Sequence, residues 1–435
     1  MHLTEWACRR IRSVFYGWIT VAGGFCIQLL NGGLLFHAFT AYILPLQAEF
    51  GWSRTALAGA FSMARAESGI LGPIQGWFID RYGPRPSMVL GNLLFGLGFI
   101  AFSRMRSLPT FYLAFVFIAL GSSLGGFMPV TATIANWFAR RRAVAMAVAM
   151  IGMGVGGLLV PAVVWSLTSH GWRATAFASG ILILLVGLPA SLLMRHRPEQ
   201  YGYLPDGEPP HAEDRGEVPR ARKAPEDPGF TVRQALRTPA FWLLCTAHTT
   251  ALLVVGAVIV HQVPHMVQQI GLSEEAAAAN VALLVTMSIA GQVAGGYFGD
   301  RLEKRLLMFG CMWLHAAGLV IFAFATTRTE AMVFAILHGM AWGVRGLLIN
   351  AVRADYFGRA AFASITGYNS LIVMIGMTGG PLFSGFLYDL AGSYRTAFLI
   401  LAGLAAMGSV SMFLARRPTR PRRGEATPQE AAALG

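Results

Sequence analysis

The sequence predicts an all-α integral membrane protein of twelve transmembrane helices, arranged as two six-helix bundles. Three observations predict it. Of 435 residues, 55% are hydrophobic and only 13% charged, with a mean hydropathy of +0.55, a balance that suits lipid rather than water as the main solvent. Runs of about 20 mostly apolar residues, the length needed to cross a bilayer, recur along nearly the whole chain. Landmarks of the first half also return in the second at a nearly constant spacing.

The runs place α1 at 14–44, α2 at 54–79, α3 at 86–105, α4 at 109–135, α5 at 142–168 and α6 at 172–194. The second set is α7 at 240–269, α8 at 275–299, α9 at 305–325, α10 at 331–354, α11 at 362–388 and α12 at 394–415. Apolar residues run continuously, as from Ile181 to Leu193, instead of filling every second position, which excludes a transmembrane barrel. Residues 1–195 form the first bundle and 239–416 the second. Between them 196–238 is rich in Pro, Glu, Asp and Arg, too poor in apolar surface to fold alone, and is expected to be a cytoplasmic linker. Residues 417–435 are expected to be a cytoplasmic tail.

The net charge of +13 is not gathered into a soluble basic domain, so no nucleic-acid partner is expected. Its arginines mark every second connector: Arg9, Arg10 and Arg12, then Arg81 and Arg85, Arg140 to Arg142, Arg301 and Arg305, and finally Arg416 to Arg423. Positive residues favour the cytoplasmic side, which puts both termini inside an inner membrane. The four cysteines, Cys8, Cys26, Cys245 and Cys311, have no metal-ligand spacing and are expected to be free thiols. The first apolar stretch is too long for a signal-peptide core, so α1 is expected to remain in place.

The internal repeat is specific. Gly76-Trp77-Phe78-Ile79-Asp80-Arg81 returns as Gly296-Tyr297-Phe298-Gly299-Asp300-Arg301, and 296 minus 76 is 220. Gly51-Trp52-Ser53 returns as Gly271-Leu272-Ser273 at the same offset, Trp137-Phe138-Ala139-Arg140 as Tyr356-Phe357-Gly358-Arg359, and Trp172-Arg173 as Tyr394-Arg395. Ser53 and Ser273 are suited to cap α2 and α8. Gly76 and Gly296 permit close helix approach. Asp80 and Asp300, beside Arg81 and Arg301, can accept from a helix N-terminus or a neighbouring arginine across the gap between bundles; these four are the expected gating residues.

The pattern G-x-x-x-D-R-x-G-x-R at Gly76, Asp80, Arg81, Gly83 and Arg85 resembles the signature loop of the major facilitator superfamily, although the second copy has Leu302-Glu303-Lys304-Arg305 where a glycine belongs. Tyr16-Gly17-Trp18, Glu49-Phe50-Gly51-Trp52-Ser53-Arg54, and Trp137 to Arg142 with Gly152-x-Gly154-x-Gly156-Gly157 look similar to bacterial monocarboxylate and oxalate/formate type porters. The resemblance implies alternating access around a central site lined by α1, α4, α7 and α10. It would make the glycine face of α5 either a close-packing surface against the other half or an ordinary helix contact. Carboxylate-transporting relatives commonly carry an arginine on α8 four residues before the second signature glycine; this chain has Gln292 there.

Ionisable groups inside spans are functional candidates by default. Arg345, near the middle of α10 beside Trp342 and Gly343, could hold a carboxylate bidentately or form a structural ion pair. Arg65 and Glu67 on α2 point in different directions; Glu67, with Arg65, is the candidate for proton coupling, against a plain inter-bundle contact. His261 and His265 share a face of α7, and the resemblance favours His261 as a substrate or proton contact; no third metal ligand is apparent, so no metal or cofactor is expected. His37, His248, His315 and His338 are expected to be packing groups. Arg345, His261, Gln292, Trp342 and Asn369 together make the expected substrate-binding set.

The absence of a Gly-x-x-x-x-Gly-Lys-Ser/Thr loop leaves no ATPase signature. The expected function is secondary transport of a small organic anion, a monocarboxylate, coupled to protons or to anion exchange. The protein is expected to be a lipid-embedded monomer and not an enzyme. The alternative is an exporter of lipophilic compounds, suggested by Gln292 and by Phe36, Phe127, Met128, Met266 and Met374 as cavity residues.

Overall fold

The computed structural model describes residues 15–52, 54–207 and 229–419. Ten helical stretches in it are long and apolar enough to cross a membrane, and two physical adjustments bring ten to twelve. The 52-residue stretch Arg142–Leu193 would extend about 78 Å as one helix at 1.5 Å per residue, against about 30 Å of hydrocarbon. It turns at Gly171, where φ is 78°, giving α5 over 142–170 and α6 over 172–193. Arg54–Tyr82, with 29 residues, is α2; Arg54, Arg65, Glu67, Asp80 and Arg81 lower its apolar score without shortening it.

The remaining spans are α3 at Pro84–Ser103, α4 at Leu108–Trp137, α7 at Pro239–Gln268, α8 at Glu274–Gly299, α9 at Lys304–Phe324, α10 at Arg328–Phe357, α11 at Phe362–Ala391 and α12 at Arg395–Leu414. The first helix, α1, runs Tyr16–Leu30, passes through a π-helical turn at Asn31–His37 and a 3₁₀ turn at Phe39–Tyr42, and resumes over Ile43–Phe50. It is therefore longer than the sequence suggests. Ser273 caps α8, its Oγ accepting from Ala276 N at 3.2 Å; Ser53 lies outside the described residues.

Within the first half α1 packs on α5, and α3 on α4 and α6. Within the second, α7 packs on α11 and α12, and α8 and α9 on α10. The halves meet along two seams, α2 with α11 and α5 with α8. Large apolar side chains such as Leu158, Leu185, Ile375, Leu382 and Phe386 are exposed, as expected where lipid rather than water is the solvent.

The buried core shows where the halves are joined. One cluster, built on Leu30, Phe39, Phe95, Phe111 and Trp172, belongs wholly to the first half, and another, built on Met266, Leu284, Phe322, Phe334 and Phe398, wholly to the second. At the arginine-rich end the clusters cross: Trp137 and Phe138 share a core with Ala354, Phe362 and Ala363, and Ala143 and Ala147 share one with Leu348 and Phe357.

The described ends of the polar segment between the halves are docked onto them. Asp206 accepts from the backbone N–H groups of Ala139, Arg140 and Arg141 at 3.0, 2.8 and 3.2 Å, and Arg195 lies between the rings of Tyr16 and Tyr201. On the other side Phe230 N donates to Phe357 O at 2.8 Å, ahead of a short helix Val232–Leu236 capped by Thr231. Local polar caps and aromatic stacking fix these ends where apolar burial alone would not.

The glycines of the repeat set the seams. A Cβ on Gly76 would fall onto the carbonyl of Ala363, and one on Gly296 would come within 2.7 Å of Ala147 Cβ. The glycine run of α5 is used differently from a surface against the other half: Gly152 and Gly156 press on Phe25 and Gly33 of α1, while Gly154 faces Ile289 of α8. Gly76→Val is expected to lower the unfolding temperature in detergent, because backbone sits where the side chain must go and overpacking costs about 1–3 kcal/mol. Unchanged melting would mean that α2 and α11 are not held at this distance.

Candidate functional site: a chamber between the halves

The two acids of the repeat perform the same task on opposite seams. Asp80, at the end of α2, accepts from Ala363 N at 3.1 Å and Ser364 N at 2.7 Å, the first turn of α11. Asp300, just past α8, accepts from Ala143 N at 2.8 Å and Val144 N at 3.0 Å, the first turn of α5. The sequence offset survives in the geometry, since 300 minus 80 and 363 minus 143 are both 220. Each carboxylate satisfies two N–H groups that the helix itself leaves open. Burial draws the Asp300 carboxyl upward from its ordinary range, opposed by those same two hydrogen bonds.

Arg81 and Arg301 do not reach across. Arg81 lies over Trp77 and Tyr82, and Arg301 over Tyr297 at 3.7 Å, each stacked on an aromatic ring of its own helix. The missing second glycine also has a cause. Gly83 has φ 87°, a conformation that L side chains rarely adopt, whereas Glu303, its counterpart at offset 220, has φ −66°.

Further links close this end. Arg142 at the start of α5 pairs with Asp355 near the end of α10, which also holds Lys304 Nζ at 2.9 Å. Arg359 donates to Asn136 O at 2.8 Å and to Glu199 Oε1 at 2.9 Å, both in the first half.

Behind this closure lie two adjoining cavities that share Phe127 and Met153. One, of about 200 Å³, is lined by Gln28, Asn31, Gln75, Ser122, Ser123, Met128 and Ser370. The other, of about 190 Å³, is lined by Phe36, His37, Met150, Gln292, Trp342 and Gly346 among others. Irregular backbone brings these groups together. The π-helical turn of α1 lies against α5, with Gly33 so placed that a Cβ would come within 2.8 Å of Gly156 O, and α4 breaks at Gly126, where φ is −99° and ψ −118°. Such interruptions in membrane helices occur where they line a cavity.

The amides face one another. Gln75 Nε2 donates to Ser123 O at 2.6 Å, and Ser122 Oγ donates to Asn31 Oδ1. Gln28 Oε1 and Gln292 Oε1 are buried without a hydrogen-bond partner, leaving one end of each carboxamide for a solute; an amide can present either a donor or an acceptor.

Of the expected substrate-binding set, Gln292 and Trp342 line the chamber and Arg345, His261 and Asn369 do not. Arg345 is turned into the second half, 1% exposed, its Nε and Nη1 without hydrogen-bond partners; His338, His315 and Cys311 lie within reach of its charge. His315 and His338 face each other at 3.0 Å between Nδ1 atoms. Asn369 belongs to a second buried group: Arg353 donates to Asn369 Oδ1, to His248 Nδ1 at 2.6 Å and to Asn350 Oδ1 at 3.0 Å. His261 is held by Tyr394 Oη at 3.2 Å and Pro381 O at 2.9 Å, which ties α7 to α11 and α12.

Glu67 lies half-buried on α2, off both cavities; the side chain of Arg65 lies outside the described residues. Helix α7 contributes to neither cavity, while α5 does. Of the five expected cavity residues, Phe36, Phe127 and Met128 line it; Met266 is core beside Asn280, and Met374 meets Gly69 on the α2–α11 seam. Gln28, Asn31, Gln75 and His37 were not singled out from sequence as chamber residues, although polar amides at i and i+3 inside an apolar span are the available signal.

Two six-helix halves around a polar chamber near the middle of their helices make the architecture of a solute transporter. A model of the Major Facilitator Superfamily matches residues 24–288 and 249–434. Monocarboxylate transporter 11 of Mus musculus is 28% identical over 410 residues, covering 91% of this chain and 86% of that one, and monocarboxylate transporter 13 of Rattus norvegicus is 25% identical over 406 residues, covering 91% and 87%. Among solved structures, the transporter FucP in its outward conformation superposes with a TM-score of 0.74 at 14% identity, covering 93% of this chain and 99% of that one. The human organic anion transporter MFSD10 superposes at 0.69 with 16% identity, covering 91% and 99%. The chain belongs to the Major Facilitator Superfamily of membrane transporters.

Replacing Asp300 by Asn removes the charge that faces the first turn of α5, an interaction worth about 1–2 kcal/mol. A cysteine introduced at Ala147, which is 3% exposed on this seam, is expected to react with a bulky maleimide several-fold to tenfold faster in the Asp300→Asn background. An unaltered rate would show that the carboxylate does not hold the seam shut.

Proposed function

We propose that the protein is a secondary active transporter of a small organic anion, a monocarboxylate, working by alternating access and driven by protons or by anion exchange. The observation that carries this reading is the likeness to monocarboxylate transporters over more than four-fifths of both chains. Arg345 supports it: a guanidinium without an ion pair among the described residues, buried one turn from the chamber-lining Trp342 and Gly346, is expensive in a membrane interior unless an anion or water reaches it. In this reading Gln292, His37 and Trp342 receive the solute, and Arg345 supplies the charge that relatives place on α8. Asp80 and Asp300 latch the arginine-rich, cytoplasmic end, Glu67 with Arg65 carries the coupling proton, and His261 and Asn369 order the second half around the site. The protein works as a monomer in the inner membrane with both termini inside.

A second reading, export of a lipophilic compound, is favoured by the apolar wall of Phe36, Phe127, Met150 and Met153. Uptake into proteoliposomes separates the two. Labelled small monocarboxylates are expected to accumulate under an imposed inward proton gradient or by counterflow, and Arg345→Gln is expected to reduce uptake tenfold or more, an effect of at least about 1.4 kcal/mol. No uptake or counterflow of any monocarboxylate, with a lipophilic dye cleared instead, would establish the second reading.

A further inference from the structure

A separate cavity of about 520 Å³ opens at the arginine-rich end of the second half, away from the central chamber, between the α8–α9 connector, the end of α10 and the segment after α12. Its lining carries four cations, Lys304, Arg305, Arg416 and Arg417, against two acids, Glu303 and Asp355. Both acids are already engaged. Asp355 is shared between Lys304 at 2.9 Å and Arg142, which lies outside the cavity, and Glu303 holds Arg305 Nε at 2.9 Å. Arg416 and Arg417 are exposed and form no ion pair among the described residues. They are held at the cavity by the preceding residue, since Tyr356 Oη donates to Ala415 O at 2.7 Å.

What borders the cavity decides its ligand. Leu302 on the connector, Leu306 on α9, and Phe413 and Leu414 on α12 are all between 46% and 55% exposed, and Phe309 stacks near Phe413 at 5.5 Å. A basic recess therefore stands directly over an apolar strip formed by α9 and α12. A free phosphate would use only the recess; a phospholipid uses both, with its phosphate between the arginines and its chains along the strip. Basic recesses at the cytoplasmic ends of membrane helices are suited to anionic headgroups. We infer that this recess binds the phosphate of an anionic phospholipid of the adjoining leaflet, with Arg416 and Arg417 as its principal contacts.

The test uses the full chain in a neutral detergent, with lipid binding followed by native mass spectrometry. Phosphatidylglycerol is expected to bind at least tenfold more tightly than phosphatidylcholine of the same chains. Each basic side chain near a charged membrane surface contributes about fivefold, so Arg416→Gln with Arg417→Gln should weaken phosphatidylglycerol about 25-fold, leaving phosphatidylcholine and the melting temperature without lipid unchanged. If the pair alters that melting temperature, Arg417→Gln alone should show about a fivefold loss. Equal affinity for the two lipids, or retention of phosphatidylglycerol by the variants within twofold, overturns the inference. So does competition by glycerol phosphate as effective as that of the lipid, which would make the recess a site for a soluble phosphate.

Discussion

The structure depends on how two carboxylates complete two helices. A membrane helix can satisfy every backbone group except those of its first and last turns, and where those turns are buried between two bundles, water is excluded from them. Asp80 and Asp300 supply the missing acceptors for α11 and α5 from the opposite half. The glycines four residues before them let the helices approach closely enough for this to happen. The apolar clusters then span both halves at this end and stay within one half elsewhere. Closure is thus a local property of one end, built from polar contacts that can be exchanged for water when the halves part.

The fold was legible because lipid imposes simple rules. Length and apolarity define spans, and the 220-residue repeat identifies two halves without any knowledge of contacts. The repeat also made the acids legible as cross-bundle acceptors, because an acid beside an arginine at a helix end has few other uses. It did not separate the acids from the arginines: Arg81 and Arg301 have aromatic neighbours one turn back, Trp77 and Tyr297, and stack there.

The site was legible only in part. Gln292 and Trp342 are chamber residues, but Arg345, only three positions from Trp342, points away from it, because three residues turn an α-helix through about 300° and leave a side chain about 60° off line. Which side of that difference faces the chamber depends on how α10 is rotated by α8 and α9, and periodicity in a helix apolar all round does not report rotation. Arg353 escaped notice for another reason. The predicted end of α10 left it at the membrane edge, whereas the helix continues to Phe357 and buries it with His248 and Asn369.

The π-helical turn of α1 carries a consequence for register. Residues before it, such as Ile27, pack in one cluster, and residues after it, Phe39, Tyr42 and Leu46, fill the aromatic core of the first half. A π-helical turn holds one residue more than an α-helical path would. Loss of a single residue between Asn31 and His37 would straighten the helix and rotate everything beyond it by about 100°, swinging those three side chains out of their core. The segment tolerates substitution by residues of similar size far better than any change in its length.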